Sequence, residues 1–266
     1  MHIAHQIRMN GAPPDFDDQM DIIPWLDPHG PALAISDDLD RKQPAEPRVF
    51  KSHSPYKAFT NPKSGLSKGG KLIYCFRDQC DVCVSSWRFL APMFGFSSDE
   101  IPLDAWAGGH FGPSGAKRGL NHLCDWWEAR HDPRVLFLFF EEMRANHEAT
   151  VRKVAAFMGR EDMDAATLEK VVATTTHKSM SSPEHHHRFD DHRIAKVFAE
   201  INGLSWPREL TGKVRKDGGK SGEGAQRLSP EHRAGFAEAW KAVVTRRLGF
   251  KDLAEMRAAW RAEQGG

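Results

Sequence analysis

The segment Lys51-Ser52-His53-Ser54-Pro55 carries two groups that could act on an incoming nucleophile. A neutral imidazole takes a proton from a hydroxyl near operating pH. A cation fixed beside it stabilises charge on a transferring group. Arg48–His53 reads as a short strand ended by Pro55. Residues two apart on a strand point the same way, so Lys51 and His53 share a face.

A second group lies in residues 71–90, KLIYCFRDQCDVCVSSWRFL. Leu72–Phe76 is apolar with no polar alternation, the pattern of a strand buried on both faces in a parallel sheet covered by helices. Arg77 sits where the strand ends. Asp78 and Asp81 are candidate caps of a helix reaching to about Leu90, with Ser85 one turn into it. A guanidinium and a hydroxyl beside a helix N-terminus, at the carboxyl end of a parallel strand, make an anion site, and its most common ligand is phosphate.

These groups need rigid elements behind them. Val135–Phe140 is a second wholly apolar strand, followed by Glu141-Glu142-Met143. Helical spacing or capping marks Met1–Arg8, stopped at Gly11, and Leu120–His131, which follows a Gly-rich connector at Gly108–Gly119. It also marks His147–Met158, Ala165–Thr174, a Ser229-capped helix running to about Arg247, and Leu253–Ala262. Residues 12–46 and 203–228 read mostly as loop. The fold expected is α/β, a parallel sheet flanked by helices, in a single domain covering residues 1–266.

A formal net charge of +1 gives no case for a nucleic-acid partner. The longest apolar runs are about six residues, too short to cross a membrane. Cysteines stand at positions 75, 80, 83 and 124. Cys80-x-x-Cys83 lacks a second ligand pair and sits in the strand-to-helix turn, so the thiols read as reduced and packed, in keeping with a cytoplasmic protein. His185–His187 point in different directions and precede Arg188, and no metal site is expected there or elsewhere.

Arg77 followed by Asp81-Val82-Cys83-Val84-Ser85 resembles the R-(N/D)-x-x-D-x-x-x-S signature of the cytosolic-type sulfotransferases, whose fold is shared with P-loop nucleotide kinases. In that family the Arg and Ser hold the 3′-phosphate of 3′-phosphoadenosine 5′-phosphosulfate (PAPS). Lys51–Pro55 resembles the family's K-T-H-L-P, whose His is the catalytic base, and Ile22–Leu26 its (V/I)-P-W-(L/I)-E/D segment along the acceptor pocket. Val135–Met143 resembles V-L-(Y/F)-L-x-Y-E-D-M, with Phe140 where the family has the Tyr that touches adenine. Thr174–Met180 resembles H-T-S-F-x-x-M, placing Thr175 at the nucleotide. Arg215-Lys216 with Gly218-Gly219 resembles the R-K-G-x-x-G-(D/E)-W loop that closes over the nucleotide. Here Asp217 is inserted and the Trp is absent.

The resemblance implies sulfuryl transfer from PAPS to a hydroxyl or amine acceptor, leaving 3′-phosphoadenosine 5′-phosphate (PAP). His53 and Lys51 would act on the acceptor, and Arg77, Ser85, Phe140, Thr175, Arg215, Lys216 and Gly218 on the nucleotide. Trp25, Trp87 and Phe89 suggest an apolar or aromatic small-molecule acceptor; its identity and the oligomeric state are not legible. Met1–Arg8 matches the helix that follows the family's phosphosulfate loop, so the first strand and that loop are expected to be missing. Thr60-Asn61-Pro62-Lys63-Ser64-Gly65 looks like that loop but precedes a strand, and is read as chance. A truncated, non-catalytic homologue that binds nucleotide weakly or does not fold alone is the alternative. A nucleotide kinase lacks support, because no G-x-x-x-x-G-K-(S/T) occurs.

Overall fold

The computed structural model describes residues 1–27, 38–64, 66–67, 69–93, 95–96, 99–109, 112–203, 214 and 220–265. Its elements begin α1 (His2–Arg8), α2 (Gln19–Ile22), α3 (Tyr56–Thr60), β1 (Leu72–Phe76), α4 (Gln79–Met93), α5 (Leu103–Gly108), α6 (Pro113–Glu128) and β2 (Val135–Phe139). They continue α7 (Phe140–Ala145), α8 (His147–Phe157), α9 (Ala165–Thr174), α10 (His177–Met180), α11 (His192–Asn202), α12 (Glu223–Arg227), α13 (Pro230–Trp240), α14 (Arg246–Leu248) and α15 (Leu253–Gln264). The chain forms two compact units, one from Met1–Ser54, Phe89–Phe96 and Glu142–Gly219, the other from Pro55–Arg88, Ser97–Glu141 and Lys220–Gly266.

In the second unit β1 and β2 pair in parallel, from Leu72 opposite Val135 to Phe76 opposite Phe139. β2 is buried almost throughout, as its apolar run suggests. β1 differs from expectation: Ile73 is 42% exposed and Cys75 is exposed, while Phe76 is buried. A five-residue run with no polar position cannot mark which side faces solvent, and here only alternate residues are covered. Aromatic rings fill the covered side. Tyr74 stacks on Trp126 at 5.0 Å between centroids, and Phe139 meets Trp260 edge-on at 5.7 Å.

The Gly-rich connector expected at 108–119 is instead mostly helix. Gly112 caps α6 and Pro113 occupies its first turn, where a missing N–H costs nothing. Packing of α6 against α13 outweighs the roughly 1 kcal/mol that each internal glycine costs. The Ser229-capped helix runs through a π-helical turn at Lys241–Thr245 into α14.

In the first unit α1 lies against α8 and α9, with Ile7, Val151 and Val171 fully buried. Gly11 ends α1 at φ +70°; a Cβ there would sit 2.6 Å from Lys170 Cβ, so no other residue fits. Arg8 is buried and fans out from α1. It donates to Ile22 O at 3.0 Å, to Gln43 Oε1 at 2.5 Å and to Pro47 O at 3.3 Å. Gln43 Oε1 in turn accepts the Val49 amide at 2.9 Å. One guanidinium thus fixes the loop that leads into Lys51, and α11, which the sequence reading did not anticipate, adds Ile194 and Ala195 to the core.

Truncating Phe139, which is fully buried, to alanine is expected to lower stability by about 3–5 kcal/mol, read as a shifted midpoint in urea denaturation. The buried pair His2 and His5 gives a pH dependence. Burial, then the charge of His5, lowers His2 to about 3, and burial, then the charge of Arg8, lowers His5 to about 4. Both bind protons more weakly folded than unfolded, so their contribution is present above the ordinary value of 6.5 and is lost as pH falls toward 4 and 3. Denaturation midpoints should therefore drop as pH is lowered from 7 to 4, and less steeply in His2→Phe.

Candidate functional site

The first group of candidate residues stands at the carboxyl ends of the two strands. Because Phe76 is paired with Phe139, the next residues of the two chains, Arg77 and Phe140, emerge side by side. The Arg77 guanidinium carbon lies 4.6 Å from the centre of the Phe140 ring. Arg77 Nε is buried and has no hydrogen-bond partner among the described residues, a donor left for an acceptor to satisfy. Asp78 caps α4 by accepting the Asp81 amide at 3.1 Å, and its own amide donates to Glu141 Oε1 at 3.0 Å. Burial raises the Asp78 carboxyl above its ordinary value, against that hydrogen bond.

Asp81, expected as a second cap, is a tether instead, because its oxygens are taken by distant amides. Its carboxylate is buried, and its two oxygens accept the amides of Gly222 at 2.9 Å and Gly224 at 2.8 Å. Arg77 Nη2 is 3.8 Å from the same carboxylate. A Cβ at Gly224 would lie 2.3 Å from the Cys80 carbonyl carbon, so glycine alone permits this approach. Arg88 pairs with Glu223 at 2.5 Å and completes the clasp of α12 on α4. Helix α4 begins at Gln79, so Ser85 lies one turn in, as expected. It stands four residues beyond Asp81 on the same face, and its half-buried hydroxyl makes no hydrogen bond among the described residues. Burial pushes the Cys80 thiol up to about 12 and Cys83 to about 11, which keeps both protonated and inert.

The second group lies around Trp25. The expected strand at 48–53 reduces to a single parallel bridge, Trp25 to Lys51, because Pro24 and Pro55 leave few amides to extend it. Lys51 N donates to Pro24 O at 2.9 Å and Leu26 N to Lys51 O at 2.8 Å. Lys51 and His53 do share a face, for both reach Trp25. Lys51 Nζ is 3.9 Å from the indole centre, and the His53 ring meets the indole edge-on at 5.0 Å. Lys51 is buried and pairs with Asp191 at 3.6 Å, whereas the His53 side chain is 66% exposed. Trp25 and Phe89 also pack on the cluster of Met20, Met93, Ile194 and Ala195. Trp87 belongs elsewhere, its indole N–H donating to Ile101 O at 2.7 Å.

Thr175 takes a different place from the one the resemblance implies. It is buried at the end of α9, and its hydroxyl donates to Val171 O at 2.6 Å and lies 3.0 Å from His147 Nε2. Helix capping has claimed the group, so it faces the protein interior. Arg215, Lys216 and Gly218 lie outside the described residues. The lookalike turn at Pro62–Ser64 is a short 3₁₀ turn with Lys63 exposed, and no helix follows it before β1.

Sequence reasoning missed the carboxylates that hold these groups. Asp81 was legible as a cap but not as a tether for Gly222 and Gly224, 141 and 143 residues away. Asp27 was passed over, although it follows the Trp25-Leu26 pair directly.

The sulfotransferase domain family matches residues 3–217. Sulfotransferase 1E1 of Bos taurus is 30% identical over 151 residues, 52% of this chain and 46% of its own length. Sulfotransferase 1A1 of Rattus norvegicus is 29% identical over 171 residues, 59% of this chain and 53% of its own. The chain thus spans about half the length of the curated relatives it matches. Among solved structures, mouse sulfotransferase SULT7A1 complexed with PAP aligns with a TM-score of 0.53 at 23% identity, covering 82% of this chain and 70% of that one. Retinol dehydratase in complex with retinol and PAP aligns at 0.55 and 20% identity, covering 81% and 57%. These alignments show the α/β fold, a parallel sheet flanked by helices, and the family match over residues 3–217 shows that the chain belongs to the sulfotransferase domain family.

Proposed function

We propose that this chain carries the nucleotide-holding and acceptor-activating parts of a PAPS-dependent sulfotransferase. The observation that carries the reading is Arg77: a half-buried guanidinium set against Phe140, with one donor nitrogen buried and unpartnered, beside the capped start of α4. A phosphate would supply the missing acceptor, since guanidinium and phosphate match in charge and planar geometry. Ser85 adds an open hydroxyl on the same helix. Phe140 offers a ring face for adenine. Arg215, Lys216 and Gly218 are assigned to the same phosphate on the sequence pattern alone. Thr175, buried with its hydroxyl donated to Val171 O, adds no support to this reading.

Bound PAPS supplies a sulfuryl group activated by its link to phosphate. The acceptor oxygen gains a bond to sulfur as the bond from sulfur to the 5′-phosphate oxygen breaks, and the acceptor's proton goes to His53 and then to solvent. His53 suits the task because it is exposed while its backbone is held. Lys51, fixed by Asp191 and the indole, adds positive potential beside it. The acceptor is a small molecule with a hydroxyl or amine, and Trp25 and Phe89 favour an apolar or aromatic one.

His53→Ala is expected to lower kcat about 10²- to 10⁴-fold in a radiolabelled sulfate-transfer assay while the PAP-induced rise in melting temperature stays as in wild type. Unchanged turnover would remove His53 from the mechanism. Arg77→Met has the converse signature. Losing one or two charged hydrogen bonds of about 1.5–3 kcal/mol should weaken PAP binding at least tenfold by calorimetry. Equal PAP affinity in this variant and wild type would sink the nucleotide assignment.

A further inference from the structure

Asp27 follows the Trp25-Leu26 pair and turns its carboxylate onto the Lys51–Pro55 segment. Oδ1 accepts the hydroxyls of Ser52 at 2.6 Å and Ser54 at 2.5 Å. Oδ2 accepts the Trp25 indole N–H at 2.8 Å and the His53 backbone amide. The same Oδ2 lies 3.8 Å from His53 Nδ1. That is a charge contact, longer than a hydrogen bond. Every residue from Ser52 to Ser54 therefore donates to this one carboxylate, and so does the indole against which the His53 ring rests.

Two physical consequences follow. The first is positional. A segment with a single bridge has little ladder of its own, and a carboxylate with four donors supplies the missing anchors. The second is electronic. An anion beside Nδ1 favours the neutral tautomer with its proton on Nδ1, leaving Nε2 free to accept. It also favours the imidazolium that forms once Nε2 has taken a proton. Burial works to raise the Asp27 carboxyl, but the hydrogen bonds from Ser52, Ser54, His53 and Trp25 outweigh it, so the group stays anionic.

We infer that Asp27 is the positioning residue for His53. It fixes the histidine's backbone and the ring face beside it, selects the Nδ1-protonated tautomer, and stabilises the imidazolium formed when the acceptor hydroxyl gives its proton to Nε2. This rests on His53 being the base, as proposed above. It assigns Asp27 a task distinct from lining an acceptor pocket, because its oxygens are turned to the protein's own donors.

The test is Asp27→Asn, with Asp27→Glu as the conservative partner. Asp27→Asn keeps the size and one acceptor oxygen but loses the charge. Its kcat is expected to fall about 10- to 100-fold, less than the roughly 10⁴-fold of a buried carboxylate hydrogen-bonded to a catalytic histidine, because His53 is exposed and the contact is long. KM for PAPS and the PAP-induced rise in melting temperature should hold, and Asp27→Glu should recover part of kcat. A kcat fall matched by an equal rise in KM, or by loss of the PAP response, would overturn the assignment. A second readout needs no turnover. Nitrogen-15 spectra of imidazole-labelled protein should show neutral His53 protonated on Nδ1 in wild type and shifted toward Nε2 in Asp27→Asn. The same tautomer in both sinks the proposal. A wild-type chain with no transfer activity removes the functional reading, while the tautomer comparison still decides whether Asp27 governs His53.

Discussion

The meeting of Arg77 with Phe140 depends on one main-chain constraint, the parallel register of β1 and β2. Five paired positions place Phe76 beside Phe139, and everything beyond them is a consequence. Parallel strands deliver their next residues at the same edge, so Arg77 and Phe140 meet although 63 positions (77 to 140) separate them in sequence. The residues after those, Asp78 and Glu141, tie the two turns together through the Asp78 amide. A shift of one position would place Arg77 beside Phe139 or Glu141 and turn alternate side chains to the other side. The ladder therefore sets the chemistry of the site, through hydrogen bonds that carry no side-chain information.

A second regularity is the use of buried and half-buried carboxylates as anchors for irregular backbone. Asp27 holds residues 52–54, Asp78 holds the start of α4, and Asp81 holds Gly222 and Gly224. Desolvating an anion is costly, and charge-assisted hydrogen bonds from amides or hydroxyls offset that cost, fully at Asp27 and only in part at Asp78. A carboxylate suits the purpose better than a neutral acceptor because two oxygens can face two or more donors at once. Long turns near a ligand gain a fixed shape this way without a helix or strand running through them.

How much of this was legible follows from where the signal lies. The strands at 72–76 and 135–139 and the helices at 165–174 and 230–240 carry their pattern locally, in apolar runs and in caps such as Ser229-Pro230. Arg77, Ser85 and His53 could be singled out as candidates because strand ends and helix starts are where such groups can act. Asp27 and Asp81 were not, because their partners are set by tertiary contact and nothing in a lone Asp announces them. Thr175 shows the opposite difficulty: its place in a motif pointed outward, yet its hydroxyl is buried and back-bonds to Val171 O, the carbonyl that also accepts its amide. The exposed side of β1 was hidden for a simpler reason, since Ile73 and Cys75 are as apolar as the residues that are covered.

The contrast between Lys51 and His53 bears on how the two could share a task. They lie two residues apart and touch the same indole, but one is buried and the other largely exposed. A buried ammonium 3.6 Å from Asp191 has most of its charge answered within the protein. What it can lend to a transferring group is a modest potential, and its larger effect is to clamp the bridge between Trp25 and Lys51. In the role proposed for it His53 gains and loses a proton, which calls for the water that Lys51 lacks. Its precision has to come from its surroundings, and those are Trp25 on one side and Asp27 beneath its own amide. The buried lysine secures the indole, the indole and the carboxylate secure the histidine, and only the last member of that chain has to be free to titrate.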